Sequence, residues 1–153
     1  MAKVSITWFF LLCGLFLIPE KNSGQCDSNE FLDNCATSLG TYTFIKAFYI
    51  KIKPRKKYTI EYSYIFSKGS SYIIVICDRN IEGKRMITNL YDRNHKLVVS
   101  NYDKENREYH PYIFYPCTAT GVYYIESYFE GTKGGCGVNI IGFSKSGHNI
   151  IEQ

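Results

Sequence analysis

Histidine is scarce in this chain, with three in 153 residues: His95, His110 and His148. Neither a His-Glu-x-x-His helix nor a Gly-x-Ser-x-Gly elbow occurs, which removes the usual zinc-peptidase and serine-hydrolase signatures. There is no Cys-x-x-Cys pair, and with so few imidazoles an ordinary zinc site is not expected. The glycine stretch from Gly131 to Gly137 lacks phosphate-loop spacing and no helix follows it, so it reads as a hairpin turn. No Asn-x-Ser/Thr sequon is present, so N-glycosylation is not expected. Nucleic acid is not an expected partner either, because no recognition helix, zinc finger or RNA-binding signature occurs.

Long hydrophobic runs are missing too. Trp8 to Ile18 is apolar, but a membrane-spanning helix needs about 20 such residues. Lys3 precedes that run and Glu20-Lys21 ends it, the pattern of a secretory signal peptide. Residues 1–24 are read as that peptide, with cleavage after Gly24 or Gln25. About 128 residues remain, enough to bury a single core. No transmembrane segment is expected in the mature chain. A lipidated cysteine would follow a small residue, and neither Leu12 before Cys13 nor Gln25 before Cys26 supplies one. The expected location is secreted, periplasmic or at the cell surface.

Charge of either sign is modest. Removing 1–24 takes Lys3, Lys21 and Glu20 from 18 basic and 14 acidic residues, leaving 16 and 13, or +3. Much of the excess sits in Lys51 to Lys57, read as a solvated strand end and turn rather than an anion patch.

What the chain does have is cysteine, β-branched residues and aromatics. Of its six Cys, five survive cleavage: Cys26, Cys35, Cys77, Cys117 and Cys136. An exported chain of this kind uses them as disulfides. The odd number leaves one thiol over. Tyr58, Ile60, Tyr62, Tyr64 and Phe66 alternate with Thr59, Glu61 and Ser63, which marks a strand with one buried face. Tyr72 to Cys77 is apolar on both faces, which places it centrally in a sheet.

Eight strands are expected near 42–52, 58–67, 71–78, 86–92, 96–102, 109–117, 121–129 and 136–143, separated by turn residues. Asp27 to Cys35 resembles a short helix, with Asp27 as cap and Glu30 completing a capping box. The domain is read as 25–143 and residues 144–153 as a flexible tail. Regular short strands predict an all-β, antiparallel β-sandwich with a short N-terminal helix.

If successive strands alternate direction, Cys77 and Cys136 share one rim while Cys117 lies at the other, near the entry to the first strand. The expected bridges are Cys77–Cys136, and Cys117 with Cys35 or Cys26, each contributing roughly 2–4 kcal/mol. Cys26 is the candidate free thiol when Cys117 takes Cys35.

Three segments carry a resemblance: Tyr42-Thr-Phe44, Leu90-Tyr-Asp-Arg-Asn94-His-Lys-Leu-Val-Val-Ser-Asn101, and Ala119-Thr-Gly-Val-Tyr-Tyr-Ile125. Their order and spacing resemble the bacterial pre-peptidase C-terminal domain, over about two-thirds of the chain. The resemblance implies a jelly-roll-like sandwich and an accessory module rather than a catalytic one. The family tends to have Gly after the turn Asn, where this chain has His95. A non-Gly residue enters the left-handed region at a cost, although His is among the better tolerated.

Calcium would need 6–8 oxygens. Asp92 and Asn94 lie in one turn, and Asp103 and Glu105 in another, on opposite rims by the same alternation. Asp78 is a further oxygen donor for the same rim, but one rim alone offers too few carboxylates for a tight site, so no metal or other cofactor is expected. With 14 Tyr and 10 Phe, most rings serve the core, but a few can remain exposed. Tyr102, Tyr109, Tyr112 and Tyr128 are the candidates for ligand binding, since flat rings beside polar groups grip sugars. The expected function is therefore a secreted, non-catalytic binding module, with an extracellular glycan or a surface protein as partner. A small secreted hydrolase or peptidase-associated inhibitor is the alternative, and a structural surface protein with an odd Cys linking copies is a third.

Overall fold

The structure is a computed structural model that describes residues 32–33, 35–53, 59–79, 85–131 and 134–145. The expected signal peptide, Cys26, His148 and most of the expected helix over 27–35 lie outside those residues. Ten strands are described: β1 (Thr43–Ile52), β2 (Ile60–Phe66), β3 (Ser70–Asp78), β4 (Met86–Tyr91), β5 (Leu97–Ser100), β6 (Tyr102–Asp103), β7 (Glu108–Tyr109), β8 (Tyr112–Pro116), β9 (Gly121–Phe129) and β10 (Gly135–Lys145). All eight expected strands are present. The two short strands β6 and β7 are an addition, a hairpin within the stretch read as a loop between strands five and six. β10 runs two residues into the stretch expected as a flexible tail, because Ser144 and Lys145 pair with Ser71 and Ser70; residues 146–153 lie outside the described residues.

Two four-stranded antiparallel sheets result, one ordered β1-β10-β3-β8 (sheet A) and the other β2-β9-β4-β5 (sheet B). Apart from β4 to β5, and the β6–β7 hairpin inserted on the way to β8, each connection passes from one sheet to the other. One core joins both sheets. Phe48, Ile50, Ile74, Ile113 and Ile141 come from sheet A, and Phe66, Met86, Leu90, Ile125 and Phe129 from sheet B. This is the sandwich-like arrangement that period-2 strands require to hide their apolar faces. Phe66 stacks between Tyr72, at 3.9 Å, and Tyr123, at 5.0 Å.

A ring of three polar side chains ties the sheets across that core. The Thr88 hydroxyl donates to Asn139 Oδ1 at 3.2 Å, and Asn139 Nδ2 donates to Ser127 Oγ at 2.7 Å. Ser127 and Thr88 close the ring at 3.0 Å. All three residues are fully buried. Each donor has an acceptor, so the desolvation of these groups is offset.

Sheet A has a second hydrophobic layer on its outer side. Ile73, Val75, Val138 and Ile140 pack there against Cys35, Leu39 and Tyr42 of the N-terminal segment. That cover explains why β3 is apolar on both faces. It also needs close approach over β10: a Cβ on Gly142 would lie 2.7 Å from Leu39 Cδ2 and 2.9 Å from Tyr42 Cβ.

The disulfides differ from expectation. Cys35 bonds to Cys77, Cys136 is also disulfide-bonded, and Cys117 is free and buried. The pairs Cys77–Cys136 and Cys117–Cys35 are therefore overturned, and a free thiol is Cys117. Strand alternation does bring Cys77 and Cys136 to one rim, since Cys77 is opposite Val138. It fails for Cys35. The segment before β1 does not stay at the rim where β1 begins but runs across the outer face of sheet A to the end of β3.

Candidate functional site

The turn between β4 and β5 is built by Asp92. Its carboxylate accepts the backbone N–H of Asn94 at 2.8 Å and of Lys96 at 3.0 Å, and its carbonyl accepts the His95 N–H at 2.9 Å. Those bonds hold the Asp92 carboxyl below its ordinary range. His95 sits in the left-handed region at φ 54°. Its ring repays that conformation by stacking on Tyr124, centroids 4.0 Å apart, and its Nδ1 lies 3.8 Å from Glu61 Oε2. Both partners stand on the outer face of sheet B.

The second turn, at the tip of the β6–β7 hairpin, uses Asp103 in the same way. It accepts from the N–H groups of Glu105 and Asn106 and from Asn106 Nδ2. The Asn106 side-chain bond leads the effects that lower its pKa. Asn101 anchors this hairpin to the start of β4, taking the Thr88 N–H at 2.8 Å and donating to the Met86 carbonyl. The two turns thus lie at opposite ends of β4. Among the described residues no three of His, Cys, Asp and Glu gather closely enough to hold a metal ion.

Between these turns, the outer face of sheet B carries a cleft of about 840 Å³. Strand register lays out its floor. Glu126, Asn89 and Ser100 line it in one row across β9, β4 and β5, and Glu61 of β2 continues that row outside the cleft. Tyr128 stands on one side of that row, and Tyr91 and Tyr124 on the other. Tyr102 and Lys104 of the hairpin also line the cleft, as does Glu130 after β9. Asn89 Nδ2 donates to Glu126 Oε1 at 3.4 Å and Tyr91 donates to the same oxygen at 3.3 Å. Burial raises the Tyr91 and Tyr128 pKa values first, and the charge of Glu126 adds to both.

The wall is braced from behind. Tyr109 packs on Tyr102 at 4.5 Å, and its hydroxyl donates to Glu130 Oε2 at 2.7 Å. Burial and that bond raise the Tyr109 pKa. Arg85 lies over the Tyr109 ring at 5.8 Å and pairs with Asp78, whose carboxylate is 3% exposed.

Of the four tyrosines expected to bind, Tyr102 and Tyr128 line the cleft and Tyr109 supports it. Tyr112 does not join them. It stands on β8, the edge of sheet A, opposite Val75. Sequence reasoning missed Tyr91, Asn89 and Glu126, although their period-2 placement on β4 and β9 was the available signal. His110 lies between β7 and β8, where its carbonyl accepts from Asn101. The Cys117 thiol faces the Ala119 carbonyl at 3.1 Å and the Tyr123 hydroxyl at 3.9 Å. No helix among the described residues is long and apolar enough to cross a membrane. No known family model matches the chain, and no curated protein matches its sequence.

Proposed function

We propose that this chain is an exported, non-catalytic binding module of jelly-roll type, similar to the pre-peptidase C-terminal domain, that holds a saccharide on the outer face of sheet B. The strand orders of the two sheets, with most connections crossing between them, support the jelly-roll reading. The Cys35–Cys77 disulfide is in keeping with an oxidising compartment. The observation that carries the function is the cleft itself. A sheet face that could have been plain and solvated instead presents tyrosine rings around a buried amide and carboxylates. Rings supply flat apolar contact for a pyranose, and amide and carboxylate oxygens supply acceptors for its hydroxyls.

A glycan array followed by NMR titration tests this reading. Binding should perturb Tyr91 and Tyr128 and leave Tyr112 unmoved, and Tyr128→Ala should abolish it. An array with no hit, together with no retention on insoluble polysaccharides, would sink the saccharide reading. The surface-protein reading has its own observation: Tyr112 and Phe114 are 52% and 42% exposed on the β8 edge. An open edge strand can pair with a partner's strand. Inter-chain bridging through the odd cysteine gains little from Cys117, which is only 5% exposed.

A further inference from the structure

The hydrogen-bonding inventory of the cleft is lopsided. Asn89 is 8% exposed yet lines it. Its Nδ2 is used on Glu126 and Tyr91, and its amide also bonds the Tyr128 hydroxyl. The amide orientation is fixed, because a carboxylate can only accept. Both bonds to Glu126 fall on Oε1, leaving Oε2 without a described partner. Glu130 is engaged through Oε2 by Tyr109, leaving its Oε1 likewise. The described ion pair is Asp78 with Arg85, and Glu61 lies beside the His95 ring, so neither Glu126 nor Glu130 has a described counter-ion.

Charge points the same way. Glu61 stands directly opposite Glu126 in register, a like-charge placement that costs stability unless something relieves it. Among the described residues, Lys104 is the only cation lining the cleft, against Glu126 and Glu130. This local excess of negative charge belongs to a chain whose net charge is +4.

From this we infer that the cleft selects a protonated amine on its saccharide, an amino sugar with a free ammonium, seated against Glu126 and Asn89 beside the Tyr91 and Tyr128 rings. An ammonium is a pure donor and matches a site rich in unused acceptors. Aromatic faces add attraction for a cation, and more so where water is partly excluded. A neutral sugar would satisfy the same oxygens with hydroxyls but leave the charge unbalanced, and an N-acetylated one would present no cation. The inference rests on the saccharide reading and narrows it.

Calorimetric titration of the full chain would compare three short oligomers of equal length at one mildly acidic pH: free glucosamine, N-acetylglucosamine and glucose. The free amine should bind about tenfold or more tighter than the other two. Glu126→Gln should erase that preference while keeping residual binding, and Lys104→Ala, which removes the competing cation, should increase it. Glu105→Gln, outside the cleft, controls for general attraction of a polycation and should leave the preference intact. Equal binding of all three oligomers, or a preference that survives Glu126→Gln or vanishes with Glu105→Gln, overturns the amine inference and leaves the saccharide reading standing. Binding of none of them overturns the amine inference, and the saccharide reading is then decided by the array and the polysaccharide retention.

Discussion

The two sheets of this protein have outer faces of opposite character. Outside sheet A, Ile73, Val75, Val138 and Ile140 are buried beneath the N-terminal segment, which Cys35–Cys77 fastens in place. Outside sheet B, Asn89, Tyr91, Glu126 and Tyr128 meet an open cleft. Both faces are built from β-strands of the same sandwich with the same period. What separates them is what the alternate positions carry. Apolar residues on both faces of a strand demand a second cover, and the chain supplies one from its own N-terminal segment. Polar and aromatic residues at the corresponding positions demand none, so that face stays open, and the proposed function puts the ligand there. Substitutions on the first face should therefore act on stability, and on the second face on binding.

The largest effect is expected beneath both faces, at the polar ring that ties the sheets. Asn139→Ala leaves the Thr88 and Ser127 hydroxyls only each other as partners, so one buried O–H loses its acceptor. At roughly 1–3 kcal/mol for each unsatisfied buried group, this should lower the denaturation midpoint more than any cleft substitution. Chemical denaturation checks this. A variant in which all three ring residues are apolar should recover much of the loss, because no polar group then lacks a partner.

Next comes the cover of sheet A. Cys35→Ala opens the disulfide and should cost about 2–4 kcal/mol. Gly142→Val, which drives a side chain into Leu39 and Tyr42, should cost roughly 1–3 kcal/mol by overpacking. Both are expected to leave ligand affinity nearly unchanged, measured on the folded fraction. Glu126→Gln should do the reverse, changing stability by less than about 0.5 kcal/mol while altering binding. If the cover variants weakened binding as much as Glu126→Gln does, the division between a structural face and a binding face would be wrong.

His95 gives a smaller and more diagnostic effect. His95→Gly removes left-handed strain, worth about 1 kcal/mol, but also a ring stack of similar size. The two should nearly cancel. His95→Val keeps the strain, loses the stack and should be destabilising by about 1–2 kcal/mol. Equal stability of the Gly and Val variants would show that the φ of 54° matters less than the stack.

The smallest effect is in the acid limb. Hydrogen bonds hold the Asp92 and Asp103 carboxyls below their ordinary range. A carboxyl depressed in the folded state adds stability above its unfolded pKa, and that contribution is lost as pH falls through the folded value. Asp92→Ala should therefore differ most from the parent near neutral pH, and the gap should narrow on acidification. Thermal melts across an acid series would reveal it.

Much of the architecture was legible along the chain. The alternation from Tyr58 to Phe66 and the two-sided run Tyr72 to Cys77 gave a strand with one buried face and an interior strand β3, because burial on one or both faces writes itself into period-2 composition. Asp92 and Asp103 read as turn formers rather than ligands, and the carboxylate bonds agree. The β6–β7 hairpin escaped notice because two-residue strands are too short to show a period. Cys35–Cys77 escaped because the rim reasoning followed strand direction alone, and the partner segment is not a strand.

The sequence by itself thus determined the strands, the turns and the presence of a thiol left over, since each is a local matter of backbone preference and counting. It also singled out His95 as a residue in need of explanation. Only tertiary structure supplied the explanation, by setting Tyr124 beneath its ring and Glu61 within reach. Tertiary structure likewise decided which cysteines meet, which sheet face is covered, and that Asn89 and Glu126 stand side by side. Those outcomes depend on strand order and on the path of the N-terminal segment, and contacts between residues 37 or 42 positions apart leave no periodic trace in the chain.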